Sequence, residues 1–100
     1  MQYKVTATKQ FDEDLVNVYT YFREKFKSES AVNNLRNKVT LSIKNLLTIP
    51  EAFNKLRMSN NHRSIQCNNY IIVYSVKKNE VILHRFLYAK SDVKNRLKNN

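Results

Sequence analysis

The chain has 100 residues, a hydrophobic fraction of 42%, a charged fraction of 26% and a formal net charge of +10. That length suits one domain, 1–100, with a single modest core, and the composition excludes wholesale disorder. The longest apolar runs, such as Ile71 to Tyr74, are too short to cross a bilayer. Met1-Gln2-Tyr3-Lys4-Val5 lacks the apolar core of a signal peptide, so a cytoplasmic location is expected.

Tyr3, Val5 and Ala7 alternate with Lys4, Thr6 and Thr8, which predicts a half-buried first strand. Thr8 can cap the segment that follows. There, Phe11, Leu15, Val18, Phe22 and Phe26 recur at helical steps and form one apolar stripe. Asp12, Glu13 and Asp14 fall in its first turns, where negative charge suits the positive end of the helix dipole. Lys27-Ser28-Glu29-Ser30 breaks the pattern and offers serine caps. Val32, Leu35, Val39, Ile43 and Leu46 then mark a second helix that Pro50 ends near Ile49. A join this short predicts an antiparallel helical hairpin.

Beyond an irregular stretch from Glu51 to Asn61 the period changes to two. Arg63, Ile65 and Cys67 share one face of a strand, Tyr70 to Val76 is apolar on both faces and reads as a central strand, and Val81 to Tyr88 forms a fourth. By alternation, His84 falls with Ile82 and Phe86, and Arg85 with Val81, Leu83 and Leu87. The sequence has no glycine and a single proline, so asparagine is expected to carry positive φ, with Asn60-Asn61, Asn68-Asn69 and Asn79 marking turns. Asn68-Asn69 suits a type I′ hairpin turn. Asp92 to Leu97 could add a short C-terminal helix. The fold class is therefore α+β, in the order β-α-α-β-β-β, with a helical hairpin packed on a mostly antiparallel four-stranded sheet.

Charge is uneven along the chain. Residues 1–51 hold eight Lys/Arg against six Asp/Glu, whereas 52–100 hold ten against Glu80 and Asp92 alone. A basic half attracts nucleic acid or an acidic protein, although solubility alone also accounts for it. Cys67 is the only cysteine, which excludes an internal disulfide and leaves a zinc cluster without its usual ligands. No metal or cofactor is expected. His84 suits a packed or partner-facing role better than a catalytic one, and Tyr70 and Tyr74 suit the core better than base stacking. Arg85 is costly to bury unpaired, so it either meets a carboxylate or opens onto a binding surface.

In its elements and motifs the chain resembles the RelE/ParE toxins of type II toxin–antitoxin systems. The likeness covers residues 2 to about 95. It rests on Tyr3-Lys4-Val5, on Leu15-Val16-Asn17-Val18-Tyr19-Thr20-Tyr21, and on Ala31 with Ile43-Lys44-Asn45-Leu46-Leu47-Thr48-Ile49-Pro50. Its most specific part is C-terminal: Arg63, then Asn68, Tyr70, Ile72 and Tyr74, then Val81, Arg85 and Asp92. The resemblance implies a growth-inhibiting toxin held inactive by a cognate antitoxin. Such a toxin either poisons DNA gyrase, as ParE-like members do, or cuts messenger RNA on the ribosome, as RelE-like members do.

In the cleaving members an arginine commonly follows the tyrosine that opens the third strand; here Ile71 follows Tyr70. Their Lys-x-Lys pair falls on Arg63 and Ile65, and their arginine-rich turn near Lys90 and Ser91. Together with the long hairpin, these departures favour the ParE-like branch, which needs no catalytic residue. If the chain is instead a ribonuclease, Arg63 and Arg85 would clamp phosphate and Tyr88 or His84 would move the proton. Target or nucleic-acid binding is expected at Arg63, Arg85, Lys90, Lys94, Arg96 and Lys98. The antitoxin is expected on the hairpin, at Leu15, Tyr19, Phe22, Leu35 and Val39. A non-toxic, basic nucleic-acid-binding module is the remaining alternative.

Overall fold

The computed structural model describes residues 3–52 and 62–89. Strand β1 (Lys4–Ala7) leads into helix α1 (Lys9–Phe26), then α2 (Glu29–Thr48) and a 3-10 turn at Pro50–Ala52. Strands β2 (Arg63–Cys67), β3 (Tyr70–Lys77) and β4 (Glu80–Tyr88) follow. The sheet order is β1-β4-β3-β2. β1 runs parallel to β4, and the other two pairs are antiparallel, so the expected β-α-α-β-β-β α+β architecture is what forms. The expected C-terminal helix at Asp92 to Leu97 lies outside the described residues.

Each helix starts where the sequence offers a cap. The Thr8 hydroxyl accepts the Phe11 N–H at 3.1 Å, and the Ser28 hydroxyl accepts the Ala31 N–H at 3.3 Å, each satisfying a donor that the first turn leaves open. The Thr8 hydroxyl also donates to the His84 carbonyl at 2.9 Å, which fixes the start of α1 to β4. Between the helices Lys27 takes φ 49 and returns its N–H to the Arg23 carbonyl.

Positive φ is thus not left to asparagine. It occurs at Lys27, Asn68 and Lys78 among the described residues, and Asn69 and Asn79 do not adopt it. The Asn68-Asn69 turn is therefore not type I′, which needs positive φ at both central residues.

The apolar stripes of both helices press on one face of the sheet. Phe11, Leu35, Val39 and Leu46 join Ile65, Cys67, Tyr70, Ile72, Tyr74, Val81, Leu83 and Phe86 in one cluster, and Leu15, Val18, Tyr19, Phe22 and Ile43 pack against it half-buried. Fully burying a side chain such as Leu46 or Ile72 contributes roughly 1.5–3 kcal/mol. The Tyr74 hydroxyl donates to the Pro50 carbonyl, which ties the 3-10 turn to the sheet. Burial pushes that phenol up to about 12 against the lowering influence of Arg63. β1 departs from expectation: all four of its residues are exposed, at the edge of the sheet.

A bulge breaks the alternation of β4. Tyr74 lies opposite Leu83 and Val73 opposite Arg85, so no β3 residue faces His84. The extra residue shifts the side-chain phase by one. Leu83 and Phe86 both enter the core, and Arg85 sits across from Val73 rather than in line with Val81 and Leu83.

Candidate functional site

Among the described residues, Asp14 and Arg85 form a buried, closely bonded polar pair. Arg85 Nε donates to Asp14 Oδ2 at 2.7 Å and Nη2 to Oδ1 at 3.1 Å, a bidentate geometry. The Phe86 N–H donates to the same Oδ2 at 3.0 Å. Register explains why a carboxylate is needed there. β1 covers the outer edge of β4 only as far as Leu83, so the Phe86 N–H beyond it would be left open. α1 runs past that edge and Asp14 fills the gap. The side chains of Arg85 and Asp14 are only 7% and 10% exposed.

Of the two outcomes open for Arg85, pairing with a carboxylate is therefore the one realised. That pairing gives Arg85 a structural role besides the catalytic and target-binding roles expected of it. Asp14 was missed because its place near the helix start suggested a dipole role. The available signal was its position on the apolar stripe, three residues after Phe11 and four before Val18.

Of the other residues named for the ribonuclease alternative, Arg63 and Tyr88 lie on opposite sides of β3, four residues apart along it. Arg63 lies on edge strand β2 opposite Tyr74, where its Nη1 donates to the Glu51 carbonyl at 2.8 Å. Tyr88 stands at the far end of the sheet opposite Tyr70. It is four residues from His84, roughly 13 Å along a strand.

His84 is half-buried, with Nε2 2.7 Å from the Ser75 hydroxyl and its ring 4.9 Å from that of His62. Burial first, and then the neighbouring His62, hold the His84 imidazole below its ordinary value of about 6.5. A depressed pKa means that the unfolded chain binds the proton more readily. Stability is therefore complete above about pH 6.5 and declines as pH falls below it. Urea unfolding at pH 7.5 and pH 5.0 should show that loss, and His84→Gln should reduce it. An unchanged pH dependence in the variant would assign the acid sensitivity to other groups.

The residues expected to meet the antitoxin differ in burial: Leu35 and Val39 are 2% and 4% exposed, whereas Leu15, Tyr19 and Phe22 pack against the same core half-buried. The large apolar side chains left exposed include Val16, Tyr21, Phe26, Leu41 and Tyr88. Cys67 is buried in the core, and burial pushes its thiol up, away from reactivity. Lys90, Lys94, Arg96 and Lys98 lie outside the described residues.

Comparison with known proteins places these features. The family model described as ParE toxin of type II toxin–antitoxin system, parDE, matches residues 5–93. A chain of the chromosomal ParDE toxin–antitoxin system from P. aeruginosa superposes with TM-score 0.77 at 14% identity, over 89% of this chain and 98% of that one. The RelB-RelE antitoxin–toxin complex from Methanococcus jannaschii contains a chain matching with TM-score 0.61 at 22% identity, over 90% and 96%. YafQ from E. coli matches with TM-score 0.51 at 20% identity, over 87% and 93%. At these identities the likeness is one of fold. No curated protein matches by sequence.

Proposed function

Because the chain belongs to the ParE toxin family of type II toxin–antitoxin systems, we propose that it arrests growth by binding and inhibiting DNA gyrase, without catalysis of its own. The family match across residues 5–93 carries this reading. The chemistry of the sheet supports it. Cleavage of RNA calls for cationic groups and a proton-transfer group gathered at one phosphate. Here Arg85 is held by Asp14, Arg63 pairs with Tyr74 while Tyr88 pairs with Tyr70 across the other side of β3, and Ile71 follows Tyr70. A binding inhibitor needs only a shaped surface. In this reading one domain spans the chain and works in the cytoplasm, where gyrase is found. Among the described residues, no helix is long and apolar enough to cross a membrane.

The partner that restrains it is a cognate antitoxin, as in the ParDE and RelB-RelE assemblies whose fold it shares. With a net charge of +10, the toxin suits an antitoxin segment rich in acidic residues, which orders as it binds.

Purified toxin added to gyrase and relaxed plasmid is expected to block supercoiling, and the antitoxin is expected to restore it. Primer extension on messages from induced cells is expected to show no new ends within codons. Unimpaired supercoiling at a large molar excess of toxin, together with cuts inside translated codons, would overturn the proposal in favour of a ribosome-dependent ribonuclease.

A further inference from the structure

Where α1 ends beside the start of β3 and the end of β4, the surface folds into a cleft of about 370 Å³ with two aromatic walls. Tyr21, Phe22 and Phe26 form the helical wall, and Tyr70 and Tyr88 the sheet wall. The rings brace one another. Phe22 meets Phe26 at 5.3 Å, Tyr21 at 6.2 Å and Tyr70 at 6.3 Å, and Tyr70 meets Tyr88 at 5.7 Å. Tyr21 and Phe26 are nonetheless each 51% exposed, and Tyr88 is 46% exposed. Scattered exposed apolar residues are ordinary, but three aromatic rings bordering one cleft mark a binding surface.

The polar lining is sparse and of one kind. Lys25 holds its Nζ 5.4 Å from the Tyr21 ring and 5.6 Å from the Phe26 ring. Among the described residues, the only other non-aromatic lining residue is Asn69, and none of those lining the cleft is a carboxylate. Flat π faces on two sides, one ammonium, one carboxamide and a chain of net charge +10 suit a guest with a planar ring and an anionic link. The volume fits a small ligand rather than a length of peptide. A peptide would also bring backbone donors and acceptors that this lining could not satisfy.

We propose that the cleft holds one nucleotide of a single-stranded nucleic acid. The base lies between Tyr88 and the α1 rings, with its edge toward Asn69 and its phosphate on Lys25. This site is separate from Arg63 and Arg85 and does not depend on gyrase being the target.

Fluorescence anisotropy of a labelled twelve-residue oligothymidylate against the full chain tests it. Binding is expected to weaken as salt rises. Tyr88→Leu and Phe26→Leu keep apolar bulk but remove the π face, and each should weaken binding about ten-fold, the scale of one lost stacking contact. Lys25→Gln should weaken it at low salt, while Lys44→Gln, an exposed lysine on α2, should not. An oligonucleotide of the same length with abasic sites carries the same phosphates and should bind about ten-fold more weakly. Equal affinity for the abasic strand, or unchanged affinity in both leucine variants with native circular dichroism, would overturn the proposal. So would displacement of the oligonucleotide by an acidic, tryptophan-bearing peptide of equal charge at equal or lower concentration, which would make the cleft a peptide site.

Discussion

Replacing Asp14 with alanine is expected to destabilise the protein by about 3–5 kcal/mol, the usual cost of removing one partner from a buried ion pair. Two groups are affected at once: the Arg85 guanidinium loses both of its bonds to the carboxylate, and the Phe86 N–H loses its bond to Oδ2. A domain of this size is stable by only about 5–15 kcal/mol, so the loss is a large share of the total. In a thermal melt it corresponds to a drop of roughly 12–30 °C. Asp14→Asn keeps an acceptor for Phe86 but loses the charge, and should fall between the wild type and alanine.

The double variant Asp14→Leu/Arg85→Met removes both charges and should recover much of the loss, since no buried charge then lacks its counterpart. A change below about 1 kcal/mol for Asp14→Ala would mean that water reaches the pair and that it does not constrain the fold. The pair also changes how toxicity data are read. Loss of activity in Arg85→Ala follows from unfolding alone, so it cannot identify Arg85 as a group that touches a target. An active double variant would separate the two explanations.

Leu35→Ala is the second change with a large expected effect, about 2–5 kcal/mol, from lost burial and the cavity it leaves. Leu35 is 2% exposed and belongs to the core cluster with Phe11 and Leu46. Were Leu35 a docking residue, the variant would fold normally and bind antitoxin poorly. The expected result is the reverse order of events, a denaturation midpoint that falls first, with weaker antitoxin binding only as a consequence. Val16→Ser, at an exposed position on α1, serves as the control and should shift stability by no more than about 0.5 kcal/mol. Equal melting curves for Leu35→Ala and the wild type would return this stripe to the partner.

Much of the architecture was legible because its signals are local. The steps from Phe11 to Phe26 and from Val32 to Leu46 fall at helical intervals, and Thr8 and Ser28 cap the first turns from within a few residues. The change of period after Asn61 located three strands, and the unbroken apolar run of β3 marked it as interior to the sheet. Turn chemistry was less legible. With no glycine in the chain, asparagine looked the natural bearer of positive φ, yet Lys27 and Lys78 adopt it at two of the three described positions. There the surrounding helix end and hairpin impose the conformation, and the residue bears its steric cost.

The candidate site was legible in residue type but not in arrangement. An apolar stripe announces that it must be covered, without saying whether a sheet or a partner covers it. In this protein the sheet takes Leu35 and Val39 into the core and leaves Leu15, Tyr19 and Phe22 half-buried at its margin. Strict alternation along β4 placed Arg85 with Leu83, whereas the extra residue at His84 turned Arg85 toward a carboxylate 71 positions away.

The amino-acid order alone thus determined the elements, their sequence and the family likeness, because each depends on neighbours within about one or two turns of chain. Only the tertiary structure decided which charges neutralise each other, which apolar faces stay open and where aromatic rings converge. Those outcomes depend on strand register and on the way α1 crosses β4. A shift of one residue in that register exchanges every inward side chain for an outward one.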